Sequence, residues 1–174
     1  MNKLILISLL ALGFLTAQSY SIKNGSMILT AKAKTVGIES DFQGKGDGLN
    51  GVLNLSEKSF SFTYDLWQID TGNELRNDHM HENHLETEDY PIATFSGKII
   101  EQSDDKIVAK GVFKLHGEEK KIQIEGKISN GFLTADWVLN LKDFNIEIPR
   151  KFIFAKLDEN LSMSINCKLI KEEE

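Results

Sequence analysis

The feature that most constrains this chain is a period of two in its apolar residues. Phe60, Phe62, Tyr64 and Leu66 alternate with Ser61, Thr63 and Asp65. Such alternation suits a strand with one face on a core and the other in water. Ala93, Phe95 and Ile99 repeat it, with Thr94, Ser96 and Lys98 on the opposite face. Ile107, Ala109, Phe113 and Leu115 alternate with Lys106, Lys110 and Lys114. Further rows are Ile122, Ile124 and Ile128, then Leu133, Ala135, Trp137, Leu139 and Leu141, then Leu161, Met163, Ile165, Cys167 and Leu169. Shorter candidate strands cover residues 20–23, 27–34 and 49–55.

The connections are as informative as the rows. Ser129-Asn130-Gly131 joins two of them with the Asn-Gly pair favoured in tight hairpins. His116-Gly117 and Asp104-Asp105 separate others at hairpin spacing. Links this short cannot hold crossover helices, so the strands are antiparallel. Eight or nine strands, each with one apolar face, predict an all-β closed barrel or a two-sheet sandwich. Gly44, Gly46 and Gly48 read as a turn between strands.

One stretch breaks the period. Residues 76–88, RNDHMHENHLETE, hold no Gly or Pro and predict one short helix, with Asn77 or Asp78 as its N-cap. It ends before Tyr90-Pro91, where proline restricts its neighbour to extended geometry. Met80 and Leu85 would be its apolar contacts, and it would close one end of a barrel.

Composition removes several classes of function. A chain of 174 residues suits one domain, and a net charge of -6 excludes a nucleic-acid binder. The single Cys167 alternates with Ile165 and Leu169, which predicts a buried, inert thiol. At the start, Lys3, an apolar run over residues 4–15, and small Thr16 and Ala17 have the form of a secretory signal peptide. The run is too short to cross about 30 Å of hydrocarbon. Residues 1–17 are therefore predicted to be removed, leaving one domain over residues 18–174. That domain would be periplasmic or extracellular, with no stable membrane anchor after processing.

Catalytic signals are thin. Asp78, His79, His81 and His84 place four ligand-type side chains in seven residues. On a helix His81 and His84 would lie about 60° apart, with His79 nearly opposite both. Zinc usually takes three or four protein ligands, so this set points to surface imidazoles. A metal-dependent or redox enzyme using His79, His81 and His84 is the competing reading. The chain has no H-E-x-x-H, no cysteine pair, no G-x-S-x-G elbow and no phosphate loop opening a helix. Neither catalysis nor a cofactor is expected.

Several segments together resemble a known family. They are Ile69-Asp70-Thr71-Gly72-Asn73, then Arg76, His79-Met80, Tyr90-Pro91 and Ala93-Thr94-Phe95. Gly111-Val112-Phe113-Lys114-Leu115-His116-Gly117, Lys121-Ile122 and Leu141-Lys142-Asp143-Phe144-Asn145-Ile146 follow in order. This pattern resembles the YceI-like family over nearly all of residues 20–170. The resemblance implies an extended antiparallel, lipocalin-like barrel of about eight strands with one short helix. It also implies an exported, non-catalytic carrier or store for a long apolar ligand such as a polyisoprenoid, isoprenoid quinone or fatty amide. A homodimer is consistent with it. His79 stands at the family's characteristic His position, so His79 and Arg76 become candidate polar contacts at the barrel end. Phe60, Phe62, Tyr64, Phe95, Ala109, Phe113, Ala135 and Trp137 become the candidate lining for a long-chain isoprenoid or acyl lipid. Ala31, Ala33, Gly97, Gly111 and Gly126 share the inward parity and would leave volume. The alternative is that these glycines only relieve crowding at barrel bends. The barrel would then be filled and act as a protein-interaction module.

Overall fold

The alternating rows become strands, and their apolar members face inward. The computed structural model describes residues 18–35, 38–147 and 155–172, so the expected signal segment lies outside the described residues. In chain order the strands are β1 (Ser19–Thr35), β2 (Ile38–Asn54), β3 (Ser59–Asp65), β4 (Ile92–Ser103) and β5 (Lys106–Leu115). They continue as β6 (Glu118–Ser129), β7 (Phe132–Asn140), β8 (Ala155–Leu157), β9 (Asn160–Lys168) and β10 (Ile170–Lys171). Among the described residues one α-helix, α1 (Glu74–Asn83), lies between β3 and β4.

Consecutive strands β1 to β7 pair antiparallel, β9 follows β7, and β9 also pairs with β1. That last pairing closes an eight-stranded barrel. Short β8 and β10 pair with the two ends of β1 and prolong the wall there. Strands β1 and β2 are each 17 residues, roughly 50 Å long at about 3.3 Å per residue. At the Asn130-Gly131 and His116-Gly117 hairpins both central residues have positive φ, as the right-handed strand twist demands.

Three sequence expectations change. The separate candidates at residues 20–23 and 27–34 form one strand, β1, bulged where the register shifts around Gly25. A Cβ at Gly25 would stand 2.7 Å from Cys167 Sγ, so glycine lets the strand bend over that thiol. Gly44, Gly46 and Gly48 form no turn and lie inside β2. Residues 66–70 cross close over that strand: Lys45 and Asp70 exchange two main-chain bonds of 2.8 Å. A Cβ on Gly46 would collide with the Gln68 carbonyl.

The helix begins earlier than expected. Asn73, not Asn77 or Asp78, is the N-cap, and its side chain accepts from Arg76 N. Asn77 is engaged elsewhere. Its Oδ1 accepts from Thr71 N and Thr71 Oγ1 at 2.9 and 2.6 Å, and its Nδ2 donates to Asp70 at 2.8 Å. These bonds pin the start of α1 to the segment crossing β2. The helix has no fully buried residue, while Met80 and Leu85 rest partly buried on the core, as the sequence indicated.

The two ends of the barrel differ. At the end holding the β6–β7 hairpin, Ile22, Leu53 and Cys167 are 0–1% exposed and fill the interior. At the other end lie α1 and a 3-10 turn at Leu141–Phe144. One seam of the wall is incomplete, because β6 and β7 pair only from Gly126–Ala135 to Ser129–Phe132.

Candidate functional site

The interior above the filled end is a cavity of about 2220 Å³. Its wall combines Met27, Leu29, Leu49, Ile107, Ile124, Leu133, Leu139, Leu161, Met163 and Ile165 from the inward faces of six wall strands. Small residues Ala31, Ala33, Ala109, Gly126 and Ala135 widen it between these larger ones.

Seven of the eight sequence-chosen wall residues lie on this surface: Phe62, Tyr64, Phe95, Ala109, Phe113, Ala135 and Trp137. Phe60 does not. It is 5% exposed, its ring 5.4 Å from Phe62 and 4.7 Å from Phe95. Parity put Phe60 inside correctly, but its level along the barrel is below the cavity. Directly facing Gly97 and Gly111 explain why the ring fits there. Each would drive a Cβ into the opposing backbone, and Phe60 Cζ stands 3.1 Å from the Cβ position of Gly111. These two glycines bring β4 and β5 together under an aromatic ring and leave no ligand volume.

Two polar groups sit in the apolar wall. Among the described residues Trp137 Nε1 is buried without a hydrogen-bond partner, and Tyr64 Oη is buried beside the Gly48 backbone. Burial pushes the Tyr64 hydroxyl up to about 12, and the nearby Gly48 backbone offsets this only in part.

The mouth is polar. Arg76, His79, Asn83 and His84 from the α1 region face Lys142, Asn145, Glu147 and Glu159 around the opening. The Arg76 guanidinium lies 5.0 Å from the centroid of the Phe42 ring, which fixes it beside the cavity. Lys142 Nζ pairs with the Glu159 carboxylate and holds that carboxyl below its usual range. Sequence reasoning found Arg76 and His79 but missed Lys142, Asn145, Glu147 and Glu159. They have no alternation to mark them and reach the mouth only through the barrel closure.

The histidines separate differently from the helical-wheel expectation. His79 and His84 both line the cavity, and His81 does not. The helix ends at Asn83 and His84 leaves helical geometry (φ -122°), so the wheel does not apply to it. His81 stacks on Trp67 at 4.9 Å and its Nδ1 lies 3.0 Å from Thr87 Oγ1. His116 bridges Phe144 O and Glu86 at 3.1 and 2.9 Å. Among the described residues, no three His, Cys, Asp or Glu side chains are grouped to hold a metal. Cys167 is fully buried, and burial pushes its thiol up to about 12.

The YceI-like domain pattern matches residues 20–169. The chain belongs to the YceI-like family. Solved relatives have the same fold at low sequence identity. A polyisoprenoid-binding domain from Saccharophagus degradans superposes with a TM-score of 0.69 at 15% identity, covering 89% of this chain and 99% of that one. BcnA of Burkholderia cenocepacia gives 0.64 at 14%, covering 82% and 94%. The YCEI protein of Campylobacter jejuni gives 0.64 at 17%, covering 78% and 87%. A comparison with curated proteins gives no match. The YceI-like fold is thus shared at low sequence identity.

Proposed function

We infer that this YceI-like protein is an exported, non-catalytic binding protein for a long isoprenoid or acyl lipid. The observation that carries the reading is the apolar cavity of about 2220 Å³, open at a mouth that bears Arg76 and His79. Burying about ten methylenes of such a chain yields roughly 8 kcal/mol gross, which corresponds to about micromolar affinity before ordering costs. Polar contact between the lipid head and Arg76 or His79 offsets part of those costs. The solved Saccharophagus degradans relative, named a polyisoprenoid-binding domain, supports the same ligand class. The enzyme reading loses support because His81 faces Trp67 rather than the cavity. Export rests on the leader-like residues 1–17, and an intact mass lacking them in protein from the native host is the expected result.

Mass spectrometry of organic extracts from purified protein tests the binding reading directly, with Ala109→Phe and Ala135→Phe as paired variants. Both residues line the cavity, so a ring there should displace lipid while the melting temperature holds. No extractable lipid in the parent, with each variant losing about 1–3 kcal/mol, would instead mark a filled interaction module.

A further inference from the structure

One seam of the barrel wall is not laddered along its whole length. Between β6 and β7 the ladder runs for four pairs and stops at Gly126–Ala135. Beyond it, among the described residues, β6 residues 118–125 pair only with β5, and β7 residues 136–140 pair only with β9. Main-chain donors and acceptors that face the gap have no strand partner among the described residues over five residues of β7, roughly 15 Å. The gap is closed again at the mouth. There Asn145 Nδ2 donates to Glu118 Oε1 at 2.7 Å, and Phe144 lies edge-on to Phe113 at 5.5 Å. Ladder below and latch above frame a window.

The sequence at the window resists zipping. In the register of the existing ladder, the next rung would set Glu125 opposite Asp136. Two carboxylates facing each other across an antiparallel pair destabilise it. Glu125 turns instead to Lys106, 3.1 Å away on β5, and Asp136 has no ion pair among the described residues. The rung after that would bring Ile124 against Trp137, both cavity-lining, and the next Gln123 against Val138. Val138 is 66% exposed and puts an apolar step on the outer rim. Trp137 Nε1, buried without a partner among the described residues, stands two residues past the last rung. The comparable free edge of β2 is covered, by the Lys45–Asp70 bridge and by Arg76 over Phe42. No such cover crosses the β6–β7 window among the described residues.

We propose that this window is a lateral portal through which a long apolar chain passes into the cavity, held open by Glu125 and Asp136. The proposal rests on the lipid-binding reading above. An extended chain threaded end-on must pass the α1 side chains at the mouth. A slot running along the strands admits the same chain sideways, over apolar rims at Ile124, Trp137, Leu139 and Val138.

Two variants test it. Asp136→Thr removes one carboxylate and adds strand propensity, so the ladder should extend. Gln123→Cys with Val138→Cys places two thiols on rungs that would face each other, within disulfide reach once the edges meet. Hydrogen exchange in the parent should show the window amides, those of 119–125 and 136–140 not bonded to β5 or β9, exchanging like loops while 126–129 stay protected. Asp136→Thr should gain at least tenfold protection there. With cis-parinaric acid as a fluorescent probe, the oxidised double variant should load at least tenfold more slowly than the reduced form, at equal final affinity. Window amides protected as well as 126–129 in the parent, or oxidised and reduced loading rates within twofold, would overturn the portal. A parent that takes up no probe at all would instead overturn the lipid-binding reading, and hydrogen exchange would still decide whether the window is open.

Discussion

Removing the Phe60 ring tests whether the barrel is divided into a filled base and an empty upper cavity. Phe60 is 5% exposed and touches Phe62 and Phe95 at 5.4 and 4.7 Å, so truncation withdraws a nearly complete ring from a closed site. Phe60→Ala should therefore cost about 3–5 kcal/mol, the range for deleting a buried aromatic. The Gly97–Gly111 backbone beneath has no side chain of its own to fill the hole. At about 2–4 °C per kcal/mol for a domain of this size, the melting temperature should fall by roughly 6–20 °C. Phe62→Ala is the control. Phe62 is only partly buried and borders a cavity that already exists, so its loss makes no new closed void. Transfer alone gives about 1–1.5 kcal/mol for a half-buried ring. Urea unfolding monitored by tryptophan fluorescence, with lipid content measured on the same samples, separates the two. Phe60→Ala should retain its lipid content per folded molecule, and Phe62→Ala should lose part of it. Equal destabilisation by the two variants, or loss of lipid only from Phe60→Ala, would refute the division of the interior.

Three further outcomes follow from the geometry. Burial raises the Cys167 thiol above its usual 9.0 to about 12, so its contribution is intact below pH 9 and is lost as pH rises toward 12. Urea midpoints should fall across that alkaline range in the parent and less steeply in Cys167→Ala. Asn73→Ala removes the N-cap of α1 and should cost about 1 kcal/mol, seen as faster amide exchange confined to residues 74–83. Gly46→Ala should lower the urea midpoint by the equivalent of about 1–3 kcal/mol, because its methyl meets the Gln68 carbonyl, whereas Gly131→Ala meets nothing within 4 Å and is opposed only by its positive φ.

Strand identity and facing were legible because alternation records burial directly: every inward row named from the sequence lies on the inner face. Level along the barrel axis was not legible. Phe60 and Phe62 have the same parity and the same chemistry, yet only Phe62 reaches the cavity. Depth depends on shear between strands that are distant in sequence, and no local period encodes it. The β2 glycines misled for a related reason. Their need arises from residues 66–70 crossing overhead, a tertiary contact, and turn chemistry is the local signal that glycine otherwise carries. At α1, Asn73 and Asn77 are equivalent caps by residue type, and only the bonds of Asn77 to Thr71 and Asp70 decide between them. The β6–β7 window is hidden behind two well-patterned strands. Its one trace in the sequence is a charge pair, Glu125 and Asp136, that becomes readable only once the register is known.

The closure of the barrel has a kinetic consequence. Ser26 and Asn166, paired across the β1–β9 seam, are separated by nearly the whole length of the domain. A chain emerging from its N-terminus can form the β1–β2 hairpin and add β3 to β7 in turn, each by a local step. It cannot join its two edges until the final strand arrives. Until then β1 and β7 are open templates for pairing with other chains. Long-range pairing of this kind also slows folding, since loop entropy must be overcome before the contact forms. Any truncation upstream of β9 leaves not a smaller barrel but a curled sheet with two adhesive edges. Such fragments should appear in cells as aggregates or as substrates for proteases, never as a soluble lipid carrier.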